Sequence, residues 1–284
     1  MQILRTIQDC RSFTAAARRN GRTIGFVPTM GALHEGHLSL MRRARQECGI
    51  AVTSIFVNPT QFGPHEDFAR YPRDLERDAE LCRSVGVDAI FAPQAAEMYP
   101  ESFATYVVQE DETVRRWEGE IRPGHFRGVL TVVAKLFGIV QPDRAYFGQK
   151  DYQQALLVRR MVRDLSLPLA VVVCETVREP DGLAMSSRNQ YLDPGSRRQA
   201  VCIHRGLRAA EARLAAGERD AARLCDTIRE NLVAAGPCTI DYVTVADPDT
   251  LAPLAELTGP AVALVAVRIG GTRLIDNLIL ILRP

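Results

Sequence analysis

The most informative segment of the chain is Thr29-Met30-Gly31-Ala32-Leu33-His34-Glu35-Gly36-His37. It follows an apolar run over residues 23–27 and precedes residues 36–48, which have helical periodicity. Positions 37, 40, 41, 44 and 48 fall on one face of that segment and its arginines on the other, which predicts an amphipathic helix. The predicted order is therefore a strand, a glycine-containing turn with two histidines, and a helix.

Apolar strands alternate with helices through the first two thirds of the chain. Each predicted strand is apolar on both faces, which is typical of a parallel sheet covered by helices on both sides. The pattern predicts an α/β fold with a Rossmann-like parallel sheet over residues 1–178. The further predicted strands are 51–57, 86–92, 106–109, 144–147 and 169–177, and the further predicted helices are 72–84, 128–140 and 151–165.

The pattern changes beyond residue 178, after a loop over residues 178–189. Two Ala/Arg-rich helices are predicted at 194–216 and 221–235, followed by strands at 239–245, 262–268 and 273–279. The last two strands are joined through Gly270-Gly271, which indicates an antiparallel hairpin. We therefore expect a smaller α+β C-terminal domain over residues 179–284.

Composition argues against several classes of protein. The chain of 284 residues is 46% hydrophobic and 24% charged, with a formal net charge of +1. Nucleic-acid binders usually carry a basic excess, so we expect no nucleic-acid partner. We find no signal peptide and no apolar run of about 18 residues, so no membrane span is expected. Seven scattered cysteines favour reduced thiols and a cytoplasmic location.

The two histidines allow three interpretations. A helix that begins at about Gly36 offers free backbone N–H groups and a dipole to an anion, and the imidazoles could donate to phosphoryl oxygens. Alternatively, His37 is a core histidine at the end of the apolar stripe. The pair His34 and His37 could also bind a metal, although no third ligand stands nearby in the sequence.

A second strand end carries Gly148-Gln149-Lys150-Asp151. Ligands of open α/β sheets bind outside the carboxyl ends of the strands. Lys150 could neutralise a phosphate there, and Asp151 could accept a hydrogen bond from ribose. The alternative is that Asp151 simply caps the following helix beside a solvated lysine.

Three other loops carry candidate ligand-binding groups. The segment Met185-Ser186-Ser187-Arg188 suits a triphosphate, or is an ordinary polar linker. Gln61 follows a predicted strand and could bind substrate, while Gln154 could contact a polar substrate or face water. Arg122 and His125 precede a buried helix, and their roles stay open.

Together these motifs resemble the pantothenate synthetases (pantoate–β-alanine ligases). His34-Glu35-Gly36-His37 is similar to the HIGH motif of the nucleotidyltransferase superfamily, and residues 185–188 are similar to its KMSKS-like loop. The motifs come in the family's order between about residues 23 and 192. They are FVPTMGALHEGH (26–37), SIFVNPTQF (54–62), RPGHFRG (122–128), YFGQKDYQQ (146–154) and DGLAMSSRN (181–189).

The resemblance implies a reaction in two halves. The pantoate carboxylate attacks the α-phosphate of ATP, giving pantoyl-adenylate and pyrophosphate. The amine of β-alanine then attacks the adenylate, giving pantothenate and AMP. The resemblance also implies a homodimer and Mg²⁺ bridged largely by ATP oxygens, with no metal site built from protein ligands.

The resemblance also implies a role for each candidate residue. His37, His34, Lys150 and Arg188 are the expected catalytic residues, with His37 as the proton donor. Asp151 would meet ribose, Val177 would offer its backbone to adenine, and Gln61 and Gln154 would hold pantoate. The expected ATP-binding residues are Met30, Gly31, Ala32, Leu33, His34, Glu35, Gly36, His37, Gly148, Gln149, Lys150, Asp151, Val177, Met185, Ser186, Ser187 and Arg188.

Three other functions compete with this interpretation. A nucleotidylyltransferase would leave AMP on its product. A fragment of a class I aminoacyl-tRNA synthetase would need a basic tRNA-binding region, which is not visible in the sequence. An ATP-binding sensor would bind nucleotide without turnover.

Overall fold

A computed structural model describes residues 1–64 and 66–282, and a six-stranded parallel sheet organises the first part of the chain. Its order is β1-β4-β3-β2-β5-β6, and every neighbouring pair is parallel. The predicted α/β fold is confirmed. The strands are β1 (Gln2–Leu4), β2 (Ile24–Thr29), β3 (Ile50–Ile55), β4 (Ala89–Phe91), β5 (Arg144–Gly148) and β6 (Ala170–Cys174).

Helices cover both faces of this sheet. Phe26 and Val27 are neighbours on β2 and fully buried, yet they belong to two different apolar clusters, because successive side chains of a strand point to opposite faces. Residues of α1, α7 and α8 contribute to the first cluster, and residues of α2 and α3 to the second. The helices are α1 (Ile7–Arg19), α2 (Glu35–Glu47), α3 (Leu75–Ser84), α4 (Ala95–Met98), α5 (Glu112–Arg115), α6 (Glu118–Ile121), α7 (His125–Val140) and α8 (Tyr152–Asp164).

The last third of the chain has its own antiparallel sheet and apolar core. Strands β8 and β9 form the predicted hairpin through Gly270-Gly271, and their ends pair as Ile269 with Thr272. The division at residues 178/179 stays a prediction. The elements are α9 (Pro194–Gln199), α10 (Cys202–Ala215), α11 (Ala221–Ala234), β7 (Thr239–Ala246), β8 (Ala261–Ile269) and β9 (Thr272–Leu280). Among the described residues, no helix is long and apolar enough to cross a membrane.

Several local predictions were wrong. Residues 106–109 form no strand, because the Val107 N–H donates to Thr131 Oγ1 of α7 at 3.0 Å instead of to a neighbouring strand. The single helix predicted over 194–216 is two helices: α9 buries no residue, whereas α10 packs Ile203 and Leu207 into the core. Strand β1 was not predicted, because three residues carry almost no periodic signal. Helix α1, which buries Cys10, Thr14 and Ala17, was not predicted either.

Helix α7 positions the turn that carries Gln61. The 3₁₀ turn Pro59–Gln61 lies so close to Gly128 of α7 that a Cβ there would be 2.2 Å from the Thr60 carbonyl oxygen. In addition, Asn58 Nδ2 donates to the Gly128 carbonyl at 3.2 Å. The absence of a side chain at position 128 therefore lets the loop after β3 pack directly on the helix backbone.

The substitution Gly128→Ala tests this close approach. We expect a loss of about 1–3 kcal/mol in the free energy of unfolding, measured by urea denaturation, because the new methyl group overpacks the contact with Thr60. Gly138→Ala is the matched control on the same helix, because a Cβ at position 138 meets no atom within 4 Å. That control should be neutral or slightly stabilising, since alanine is the better helix former. Equal effects of the two substitutions would contradict the close-packing argument.

Candidate active site

The carboxyl ends of β2 and β5, the loop after β3 and the segment 185–188 meet around a cavity of about 220 Å³. A larger cleft of about 820 Å³ between the two domains shares part of its lining, including Arg122, Lys150, Gln154 and Arg188. The predicted residues that line the smaller cavity are Met30, His34, Gly36, His37, Gln61, Gly148, Lys150, Asp151, Gln154, Val177, Met185, Ser186, Ser187 and Arg188. Segments that are far apart in sequence are thus brought to one edge of the sheet.

His34 caps helix α2. Its Nδ1 accepts a hydrogen bond from the Gly36 N–H at 3.2 Å, and His37 Nδ1 in turn faces the His34 N–H at 3.4 Å. The centroids of the two imidazole rings lie 4.1 Å apart. A Cβ at position 36 would come within 2.9 Å of the His34 ring, so the glycine of this motif makes room for the cap.

These bonds define the tautomer of both imidazoles. Because each Nδ1 accepts from a backbone N–H, each neutral ring carries its proton on Nε2. Burial and the charge of Lys150 lower the pKa of His34 to about 4. Burial, His34 and Lys150 also hold the pKa of His37 well below its usual value. At neutral pH the cavity is therefore lined by two uncharged N–H donors.

A buried carboxylate fixes the turn before these histidines. The two oxygens of Asp78 accept from the Ala32 and Leu33 N–H groups at 2.9 and 2.8 Å, and the side chain is 1% exposed. Ala32 has φ of 51°, a left-handed conformation that is uncommon for a residue with a side chain. Helix α3, which carries Asp78, therefore holds the turn in shape. Sequence reasoning missed Asp78, although a carboxylate among buried positions of a helix is itself a signal.

Lys150 and Asp151 lie where β5 passes into α8. Lys150 Nζ is 3.7 Å from Asp151 Oδ1, and the lysine side chain is only 18% exposed. Asp151 occupies the N-cap position of α8, but its side chain makes no capping hydrogen bond. The alternative in which Asp151 serves as the helix cap is therefore not supported, and its carboxylate lines the cavity.

The structure gives Arg122 and His125 a common task, which is to support the loop of Gln61. His125 Nδ1 lies 2.8 Å from the Gln61 carbonyl and donates to it, while Nε2 accepts from Arg122 at 2.9 Å. Glu66 binds the Arg122 guanidinium through both oxygens at 2.6 and 2.7 Å. The Gln61 side chain itself accepts from Asn58 at 3.0 Å. The loop is thus fixed on both its backbone and its side chain.

The segment 185–188 is anchored on the loop after β3. Asp67 accepts two hydrogen bonds from the Arg188 guanidinium at 2.8 and 2.9 Å, and Tyr71 Oη lies 3.1 Å from Ser187 Oγ. Burial alone would raise the pKa of Asp67, but hydrogen bonds and the charge of Arg188 bring it below its usual value. Arg188 therefore stands at the cavity already paired with a carboxylate.

Some expected ATP-binding residues do not line this cavity. Leu33 is 1% exposed within an apolar cluster, and Glu35 turns outward to a bidentate pair with Arg42. Gln149 Nε2 reaches Asn277 of the second domain at 3.3 Å. Val177 does line the cavity, but its carbonyl already accepts a hydrogen bond from the Met185 N–H at 3.0 Å. The residues outside the cavity lining are Gly31, Ala32, Leu33, Glu35 and Gln149.

Comparison with known proteins shows the family of this chain. A family profile described as Pantoate-beta-alanine ligase matches residues 2–279. Proteins named pantothenate synthetase from Moorella thermoacetica and Pelotomaculum thermopropionicum are 58% and 57% identical over 280 residues, which is 99% of this chain and of each relative.

Solved structures show the same fold. A pantothenate synthetase from Thermus thermophilus matches with a TM-score of 0.93 and 52% identity, covering 98% of this chain and 99% of that one. A pantoate-beta-alanine ligase from Francisella tularensis, complexed with beta-gamma ATP and beta-alanine, matches with a TM-score of 0.81 and 35% identity. That match covers 98% of this chain and 97% of the Francisella chain.

Fold and site together define an α/β enzyme whose ligand cavity lies at the carboxyl ends of a parallel sheet. The chain belongs to the pantoate–β-alanine ligase family. The predicted family is confirmed, together with the ligase activity that its name describes.

The neutral state of His34 predicts a pH dependence of stability. Between pH 6.5 and about 4 the unfolded chain binds a proton at His34 that the folded chain does not, so the free energy of unfolding falls as the pH is lowered. His34→Asn keeps a good helix cap but removes the titrating ring. In urea denaturation, wild type should lose more stability than His34→Asn between pH 6.5 and 4.5. Above pH 7 the two curves should run parallel. Identical slopes over the whole range would contradict a neutral His34 in the folded protein.

Proposed function

We propose that this chain condenses (R)-pantoate with β-alanine to pantothenate in an ATP-dependent reaction through a pantoyl-adenylate, releasing AMP and pyrophosphate. The observation that carries the proposal is the convergence of His34, His37, Lys150 and the Ser186–Arg188 loop around one cavity. These groups are suited to polyphosphate, whereas the neighbouring Gln61 and Gln154 are suited to a hydroxy acid.

In the first half-reaction, a pantoate oxygen forms a bond to the α-phosphorus of ATP while the bond to the β-phosphate oxygen breaks. The leaving group is pyrophosphate. The reaction needs alignment and neutralisation of charge more than covalent help from the protein. The Nε2–H groups of His34 and His37, the N-terminus of α2 and the ammonium of Lys150 supply these at the phosphates. Arg188 exchanges its contact with Asp67 for the triphosphate.

In the second half-reaction, the β-alanine amine attacks the acyl carbon of the adenylate. The C–N bond forms, the C–O bond to AMP breaks, and the ammonium proton passes to solvent or phosphate. Gln61 and Gln154 hold the pantoyl group during both steps. The fixed loop of Gln61, supported by His125 and Arg122, keeps the acyl carbon in place while the nucleophile changes.

The proposal includes Mg²⁺ as the metal ion that accompanies ATP. Within residues 1–64 and 66–282, no cluster of three His, Cys, Asp or Glu side chains is placed to hold a metal ion. Mg²⁺ prefers oxygen ligands and keeps several waters, so triphosphate oxygens would supply most of its contacts. Asp151 lines the cavity, and its side chain makes no helix-capping hydrogen bond. In this proposal its carboxylate accepts a hydrogen bond from the ribose of ATP.

The proposal includes a homodimer that works in the cytoplasm. The seven cysteines are free thiols, as expected in a reducing compartment. Burial raises the pKa of Cys10 and Cys82 to about 12, so these two thiols stay protonated and unreactive. Light scattering should give twice the mass of 31.4 kDa. A single-chain mass at micromolar concentration would remove the dimer from the proposal without affecting the chemistry.

The products of turnover test the reaction type. With ATP, pantoate and β-alanine all present, we expect one AMP and one pyrophosphate for each pantothenate, measured by chromatography of the reaction mixture. Omitting β-alanine should leave pantoyl-adenylate on the enzyme after a single turnover. ADP and phosphate would overturn the proposal. AMP retained in a stable product would indicate a nucleotidylyltransferase, and binding of ATP without turnover would indicate a sensor.

Substitutions of His37 separate a phosphate donor from a structural histidine. Asparagine can replace Nδ1 as the acceptor for the His34 N–H but lacks the Nε2–H, whereas glutamine can place an N–H near the Nε2 position. We expect His37→Asn and His37→Ala to slow pantoate-dependent ATP–pyrophosphate exchange on the order of 10²-fold or more, as for removal of a transition-state donor. His37→Gln should retain more activity than either. Full activity of His37→Asn would return His37 to a purely structural role.

A further inference from the structure

An asparagine of the second domain holds the loop that carries Lys150. Asn277 lies on β9 and is 2% exposed. Its Nδ2 donates to the carbonyl oxygens of Gln149 and Lys150, each at 2.9 Å, and its Oδ1 accepts from Gln149 Nε2 at 3.3 Å. One buried side chain therefore binds two consecutive carbonyls of the loop between β5 and α8.

The primary amide is well matched to this position. It offers two N–H donors from one nitrogen, so a single side chain can bind two carbonyls at once. An aspartate of the same shape has no donor when ionised and would place negative charge against both carbonyls. Because both bonds are partly buried, loss of the donor leaves two carbonyls without their protein partner. The arrangement therefore depends on the amide and not simply on side-chain size.

The neighbouring residue of β9 holds the other cavity loop. Asp276 accepts two hydrogen bonds from Arg178 at 2.6 and 3.0 Å, and Arg178 also donates to the Gly182 carbonyl at 3.2 Å. These bonds fix the start of the segment that leads to Ser186–Arg188. Two consecutive residues of β9 thus contact both loops that bring cations to the cavity.

We propose that Asn277 is a positioning residue, which sets the backbone of residues 149 and 150 so that the Lys150 ammonium reaches the phosphates. This inference rests on the proposed function of Lys150. Holding both carbonyls restricts the backbone torsions that aim the Cα–Cβ bond of Lys150, and its long side chain magnifies any error in that direction.

The test measures the two half-reactions separately. For Asn277→Asp we expect kcat/KM for ATP in pantoate-dependent ATP–pyrophosphate exchange to fall on the order of 10- to 100-fold, the effect of a small misplacement of a catalytic group. Formation of pantothenate from supplied pantoyl-adenylate and β-alanine should change less than about threefold, since no triphosphate is present. Asn277→Ala is assayed in parallel and should show the same selectivity.

Leu280→Ala is the matched control. Leu280 is on the same strand, fully buried in the core of the second domain, and lines neither cavity. It should lower the unfolding temperature while leaving the ratio of the two half-reactions unchanged. If both Asn277 variants slow the half-reactions in equal proportion, or lose cooperative unfolding, Asn277 is structural and the proposal is overturned. An unchanged rate of exchange would overturn it equally.

A double-mutant cycle separates this inference from the proposed function. If Lys150→Ala leaves exchange unchanged, the role proposed for Lys150 is wrong, and the positioning role of Asn277 falls with it. If Lys150→Ala slows exchange, adding Asn277→Asp should slow it little further, because both changes remove the same contact. Effects that multiply would show that Asn277 acts independently of Lys150 and would overturn the positioning role alone.

Discussion

Parallel pairing of β2 with both β3 and β5 is the constraint on which the rest of the site depends. Because the three strands run in one direction, their carboxyl ends lie at one edge of the sheet. The loops that leave this edge carry the histidines, Gln61 and Lys150. The strands can pair in this way because each is buried on both faces, under α1, α7 and α8 on one side and α2 and α3 on the other.

The histidine turn shows how local structure becomes chemistry. A helix N-terminus is an anion site, yet His34 uses one ring nitrogen to cap that terminus. The cap leaves Nε2–H as a donor, and burial with the charge of Lys150 lowers the pKa so that the ring stays neutral. In the proposed reaction, phosphate meets two uncharged donors and a helix dipole, while positive charge comes from lysine and arginine.

The second domain contacts the loops of the cavity directly, in addition to lining the larger cleft. On its strand β9, Asn277 binds the backbone of the Lys150 loop. The neighbouring Asp276 accepts hydrogen bonds from Arg178. In the first domain, Asp67 pairs with Arg188 and fixes the segment 185–188. The loops of Lys150 and Arg188 are therefore held by groups from two separate parts of the chain, strand β9 and the loop after β3.

From the sequence alone, the class of fold, most of the strands and helices around the site and the chemical groups at the strand ends could be predicted. Periodicity reports which face of a local segment is apolar, so β2, α2, β5 and α8 were found close to their true bounds. The family motifs then gave the histidines, Lys150 and the Ser-Ser-Arg segment as candidate site residues, which they remain.

Which of those groups face one cavity, and which residues hold them there, became visible in the three-dimensional structure. Asp78 binds the turn at Ala32, 46 positions away, and Asn277 binds Lys150 from 127 positions away. Glu35 and Gln149 belong to the same motifs but turn to Arg42 and Asn277. The physical reason is that hydrogen bonds between distant residues depend on how whole elements pack, and this packing leaves no periodic trace in either segment.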